Sequence, residues 1–140
     1  EYEWVYYTDE LENDMKLVYV NDDYIISRWI HNNDDNVVTD DLIINLKILS
    51  YNFRNRPSRF KRIEVLLIQP DHYGWQPSSN GAIPNNSIEG GQHQNKTVHV
   101  CRFKHYDRYY GGMVNRDDRI CYSVNWAIRN SIYDILVYKP

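Results

Sequence analysis

His93, His99 and His105 recur every six residues, and clustered imidazoles are a common way to hold a transition metal. Only strand neighbours on one face would converge on an ion, and the spacing places these three in different elements. Surface or half-buried histidines are therefore expected, and no metal. The acidic pairs Asp22-Asp23, Asp34-Asp35, Asp40-Asp41 and Asp117-Asp118 lack the alternating oxygen ligands and central glycine of a calcium loop. They read as turn residues. No Gly-x-Ser-x-Gly elbow, phosphate-binding glycine loop or His-Glu-x-x-His pattern is present. With no reactive constellation, neither an enzyme nor a bound cofactor is expected.

Two arginines carry a stronger signal because they occupy one slot twice. Tyr24 to His31 aligns with Val98 to His105, placing Arg28 on Arg102 and His31 on His105. A half-buried guanidinium can tie two loops together through fork-shaped hydrogen bonds, and that structural role outweighs a ligand role here. Trp4 stands upstream of Arg28 much as Trp75 stands upstream of Arg102. Either indole could stack on a sugar or staple a turn, and the staple is the preferred reading. Cys101 and Cys121 lie on strand candidates joined through Gly111-Gly112. They could face each other as a disulfide, or each could be a small buried thiol.

The elements that position these residues read almost entirely as strand and loop. Strands are expected at Lys16 to Val20, Tyr24 to Ile30, Leu42 to Tyr51 and Lys61 to Gln69 in the first half. Val98 to Phe103, Ile120 to Trp126 and Tyr133 to Lys139 follow in the second. Asp40 to Leu49 also satisfies a helical spacing, but its Ile-rich composition favours strand. Pro77, Gly81, Pro84, Gly90-Gly91 and Gly111-Gly112 read as turns. Asn32 to Asn36 and Arg54 to Arg59 read as solvated tips. Ile63 to Ile68 matches Tyr133 to Tyr138, and Ile48 to Phe53 matches Cys121 to Trp126. A period of about seventy residues present in only two copies predicts duplication inside one domain, because an open solenoid needs at least three repeats. The expected architecture is all-β: two pseudo-symmetric antiparallel units, about 4–69 and about 74–139, sharing one core within a single domain of residues 1–140. Gln69 to Gly74 is too short a link to let them act separately.

Sixteen basic and 19 acidic residues give a net charge of −3, with neither sign gathered into a block. That argues against nucleic acid or an anionic membrane as partner. Apolar runs are far shorter than the roughly twenty residues of a membrane helix, so membrane insertion is not expected. The 13 tyrosines and 4 tryptophans suit strand packing first and a binding surface second. The opening Glu1-Tyr2-Glu3-Trp4 suits either a chain freed of a signal peptide or a trimmed fragment. Sequons at Asn85 and Asn95 lean the expectation towards a secreted protein with glycans at those two residues.

The order Trp75, Gly81-Ala82-Ile83-Pro84, Gly90-Gly91, a strand with Arg102, Gly111-Gly112, a further strand, then Tyr133-Asp134-Ile135-Leu136 resembles the DM-nine repeat family, whose best understood members are invertebrate mannose-binding lectins. The likeness is strong from Gly74 to Tyr138 and faint from Trp4 to Ile68. It implies a tandem-repeat, carbohydrate-binding protein. It also implies that mannose would be met by an acidic residue after the glycine pair and by a lysine in a Pro-Gly-Lys turn. Those places hold His93, with Gln92 beside it, and Met113. A Gly-Lys-Glu-His stretch of the family falls on Asn125 to Ile128 and Asn55 to Ser58, without its charges. Each lost polar partner costs about 1 to 3 kcal/mol, so the mannose site should be worn away.

Three readings follow. The favoured one is a secreted, non-enzymatic, lectin-like protein that binds an altered ligand through Gln92, His93, Tyr109, Tyr110, Met113 and Arg116, its partner a glycan or another protein. The second is a structural protein that self-assembles through exposed tyrosines such as Tyr6-Tyr7 and Tyr109-Tyr110. A homo-oligomer suits both. An enzyme is the third and weakest.

Overall fold

The computed structural model describes residues 1–11, 14–21, 24–31, 35–43, 60–123 and 128–140. All of its longer elements are strands, and they form two antiparallel sheets. In the first, β1 (Tyr2–Tyr6), β2 (Tyr24–His31), β3 (Asp35–Ile43) and β4 (Phe60–Ile68) lie in the order β1-β4-β2-β3. The second contains β5 (Tyr73–Ser79), β6 (Glu89–His93), β7 (Lys96–His105), β8 (Arg108–Val114), β9 (Cys121–Tyr122), β10 (Arg129–Asn130) and β11 (Ile132–Tyr138). Its order is β10-β9-β8-β7-β11-β5, with β6 paired to β7. The run β5-β11-β7-β8 therefore matches β1-β4-β2-β3 strand for strand.

The register matches as well. Trp4 lies opposite Leu66, and Trp75 lies opposite Leu136. Arg28 lies opposite Glu64, and Arg102 lies opposite Asp134. The Ile26 amide donates to the Val18 carbonyl at 2.8 Å, as the Val100 amide does to Ile88 at 3.0 Å. The Ile68 amide donates to Lys16, as Tyr138 does to Asn86, both at 2.9 Å. Alternating side chains send one face of each sheet into a shared interior. There Ile26, Val38 and Leu66 of one sheet, with Val18 beside it, meet Val100, Met113 and Leu136 of the other, with Ile88 beside it. Each sheet's opposite face has its own smaller cluster, around Ile25, Val65 and Leu67 in the first and Cys101, Phe103 and Ile135 in the second.

Several expectations are corrected. Residues 16–20 are joined to their neighbours by isolated bridges at Leu17 and Tyr19 rather than by a ladder. Pro77, read as a turn, lies instead within strand β5, where it fits because β5 is at the sheet edge and an amide there need not donate. Gly90-Gly91 sits within β6 at a shift of register, and Gly111-Gly112 sits within β8. The reversals fall instead on Gln94-Asn95 and Tyr106-Asp107, all four at positive φ, as two-residue hairpins with the right-handed twist require. The expected strand Leu42 to Tyr51 begins earlier, as β3, and its part beyond residue 43 lies outside the described residues, as do the helix-or-strand question over 44–49 and the tip 54–59. Within Ile120 to Trp126, Cys121–Tyr122 is strand among the described residues, and 124–127 lie outside the description.

Gly112 explains why a glycine pair is needed mid-strand. A Cβ there would lie 2.0 Å from the Tyr122 carbonyl oxygen, so only glycine lets β9 lie across β8. That crossing brings Cys121 to Cys101, and the two are joined as a buried disulfide closing 20 residues of sequence.

Candidate functional site

Each half builds one clasp around its arginine. Arg28 Nε donates to Glu64 Oε1 at 2.8 Å, with the guanidinium carbon 4.4 Å from the Trp4 ring centre. Arg102 Nε donates to Asp134 Oδ2 at 3.0 Å, with its guanidinium 4.6 Å from Trp75 and 4.2 Å from Tyr109. Adjacent antiparallel strands set arginine directly opposite acid, and the edge strand brings the indole beneath the cation, an arrangement that strengthens as water is excluded. The tryptophans are thus the floor of a cation rather than staples of a turn.

Both arginines then reach into the other half. Arg28 Nη1 donates to the Gly90 carbonyl at 3.1 Å, and Arg102 Nη1 donates to the Val20 carbonyl at 3.3 Å. Trp4 Nε1 donates to the Glu89 carbonyl at 3.2 Å, and Asn36 Nδ2 to that of Gln92 at 3.4 Å. Asn21 Nδ2 in turn donates to the Tyr109 carbonyl at 3.0 Å. Gly90 and Gly91 allow this contact, since a Cβ at either would meet Val38 at 2.3 Å or Asn36 at 2.4 Å.

The clasps differ beyond the arginine. In the first half, β2 and β4 remain paired from Ser27 to His31. In the second, β7 and β11 share only the pairs Arg102–Asp134 and Ile135–Cys101. The strands part beyond Arg102, and Asn130 Nδ2 reaches across to the Lys104 carbonyl at 3.5 Å. The opening is a cleft of about 170 Å³ lined by Pro77, Arg102, Lys104, Tyr109, Asn130, Ile132 and Asp134, with Phe103 and Tyr133 behind. Tyr133 is held by the Gly81 amide, which donates to its hydroxyl at 2.8 Å. Burial raises the phenol's pKa, so the wall stays neutral.

The structure divides the six expected ligand residues. Gln92 and His93 lie opposite Thr97 and Lys96, at one end of β7. Tyr109 and Tyr110 lie opposite Lys104 and Phe103 at the other, about 23 Å away at some 3.3 Å per residue. Met113 is buried in the shared interior and offers no surface. Arg116 is exposed in the turn after β8, where Asn115 Oδ1 accepts from the Asp117 and Asp118 amides. Tyr109 lines the cleft, whereas Tyr110 stacks on Phe103 and carries the Arg108 guanidinium 3.9 Å from its ring. Lys104, Pro77, Asn130 and Asp134 were not singled out by sequence. The one available signal was Asp134, already aligned with Glu64.

The remaining chemical candidates resolve simply. Contrary to the expectation of three separate elements, His99 and His105 share β7, six residues and about 20 Å apart, with His93 on β6, and no three His, Cys, Asp or Glu residues stand together as a metal site among the described residues. Asp117 pairs with Lys96 at 3.3 Å and Asp118 accepts from Asn115 Nδ2 at 2.9 Å, as turn residues do. Asp22-Asp23 and Asp34 lie outside the description. The Ser87 hydroxyl lies 2.8 Å from His99 Nδ1. His99 is buried, which lowers its pKa and keeps the ring neutral, so the pair satisfies a core polar group. Asn85 and Asn95 are both exposed, the latter at the β6–β7 hairpin. No helix among the described residues is long and apolar enough to cross a membrane.

Two antiparallel sheets, tied by reciprocal side-chain bonds and carrying a small polar-aromatic cleft beside Arg102, make an all-β module. The family model of the DM9 repeat matches residues 20–129, and the chain belongs to that family, which points to a lectin-like, binding role. No curated protein matches the chain.

Proposed function

We propose that this is a secreted, non-enzymatic, lectin-like binding protein in which the mannose contacts implied by the family likeness are worn away and the ligand is held in the Arg102 cleft. The observation that carries this reading is Met113. It stands where the resemblance places a mannose-contacting lysine, yet its side chain is spent on the interior, while Gln92 and His93 lie far from the aromatic-walled Arg102 cleft. The same reading takes residues 1–140 as one domain of two tandem units, about 4–69 and about 74–139. The reciprocal reach of Arg28 and Arg102 supports it. The buried disulfide supports secretion, since such bonds persist in oxidising compartments.

The self-assembling alternative draws less support. Tyr109 and Tyr110 are engaged on partners in their own half, and Tyr7 packs against the first sheet's outer cluster. A glycan array followed by calorimetry tests the proposal. Saccharides other than mannose should bind, and the signal should fall when Lys104 is changed. Micromolar mannose binding that survives that change would overturn the cleft assignment, and sugar-independent large oligomers in light scattering would favour self-assembly.

A further inference from the structure

Building on the lectin-like reading, we infer that the Arg102 cleft selects an anionic saccharide, a hexose unit carrying a carboxylate or a sulfate. Two cations meet at its mouth. Arg102 uses Nε on Asp134 and Nη1 on the Val20 carbonyl, and among the described residues its Nη2 has no partner. Lys104 is exposed, 5.6 Å from the Tyr109 ring centre. Asp134, the cleft's one acid, is already committed to Arg102 through Oδ2, so the lining carries one positive charge in excess.

Both cations reach the cleft from one face of β7, two residues apart, so the strand fixes their points of attachment side by side before any ligand arrives. A planar carboxylate or a sulfate can accept from a guanidinium and an ammonium together, and such charge-assisted bonds are roughly twice as strong as neutral ones. Pro77 and Ile132, both exposed, add apolar walls suited to the C–H face of a pyranose ring. The second Asp134 oxygen remains beside them for a hydroxyl group, and Asn130, whose Oδ1 accepts from the Ile132 amide at 3.0 Å and whose Nδ2 donates to the Lys104 carbonyl at 3.5 Å, keeps one amide hydrogen for another. The volume of about 170 Å³ admits one sugar unit rather than a peptide segment. The first half differs at the two β7–β8 positions. Its residues at the places of Lys104 and Tyr109 are Ile30 and Asn36.

The test is amide chemical-shift mapping on the nitrogen-labelled protein with methyl glucuronide, a sulfated hexose, methyl glucoside and inorganic sulfate. One charged sugar should bind at least about tenfold more tightly than the glucoside and shift the Lys104 and Asn130 amides. Whichever of the two binds identifies the anion. Lys104→Glu should weaken that binding at least about tenfold while its spectrum stays folded, and Lys96→Glu, on a paired lysine elsewhere, should leave it unchanged. Equal binding of the glucoside at the cleft would overturn the charge selectivity and leave the lectin-like reading standing. Sulfate binding as tightly as the sulfated sugar would overturn the saccharide part. No shift of cleft amides with any sugar would overturn both.

Discussion

The two arginine clasps hold matching atoms at matching distances, and they are used differently. Around Arg28 the strands stay zipped, Glu64 is buried, and the residues that follow along the pair are Ile30 and Asn36. Around Arg102 the strands separate, and Lys104 and Tyr109 stand at the same places. The second half also carries β9, paired to β8, while residues 44–59 of the first half lie outside the described residues. Cys101 and Gly112 sit where the first half has Ser27 and Thr39, and through them β9 is strapped across the sheet. Paired strands supply the rigid frame in both halves. What distinguishes the two halves is where pairing is allowed to stop.

Changing the strap should have the largest effect on this contrast. Gly112→Ala places a methyl group 2.0 Å from a backbone oxygen that no rotamer can relieve. A loss of at least about 3 kcal/mol is expected in urea unfolding. A cost below about 1 kcal/mol would mean that β9 does not lie across β8. Replacing both Cys101 and Cys121 by alanine should cost about 3 kcal/mol, from the chain entropy of a loop of this length, and reduction with dithiothreitol should lower the wild-type unfolding midpoint to a similar degree.

The next contrast lies between the arginines themselves. Arg28→Met and Arg102→Met each remove an ion pair, a bond to a carbonyl of the other half and a ring contact. Breaking one partner of a largely buried pair costs about 2 to 3 kcal/mol. Arg28→Met should be the costlier by roughly 1 kcal/mol, because Glu64, its side chain 11% exposed, is left in a drier place than Asp134 at 21%. Denaturant midpoints of the two variants measure the difference. The reverse order would show that Tyr109 and the cleft wall matter more to Arg102 than burial of the acid does to Arg28.

The clasps were largely legible in the sequence. Arg28 and Arg102, Trp4 and Trp75, and the alignment of Glu64 with Asp134 all rest on residue type at fixed spacing, and strand register turns that spacing into contact. The glycines misled. Gly-Gly is a turn signal by conformational freedom, but here both pairs serve close approach, Gly90-Gly91 against Asn36 and Val38 and Gly112 against Tyr122. Nothing local distinguishes those uses. The actual hairpin Tyr106-Asp107 carries no glycine at all, and Pro77 hid an edge strand whose outer amides have no ladder to feed. The cleft was hidden for a related reason. It depends on which strand pairs end early, a property of two distant segments that neither one encodes alone.

The smallest effect tests the outer face of the same strands. His99 stands where the first half has Ile25, buried and bonded to Ser87. Burial lowers its pKa below the ordinary value of about 6.5. Above about that pH both folded and unfolded chains carry the neutral ring. As pH falls, the unfolded chain takes up the proton while the folded ring resists, so the His99 contribution to stability is present above about pH 6.5 and is lost on acidification. His99→Ile imports the first half's residue. It should flatten the dependence of the unfolding midpoint on pH between neutral and mildly acidic buffer, even if stripping Ser87 of its partner lowers stability throughout. An unchanged slope would assign the acid sensitivity to other groups and leave His99 a packing residue like Ile25.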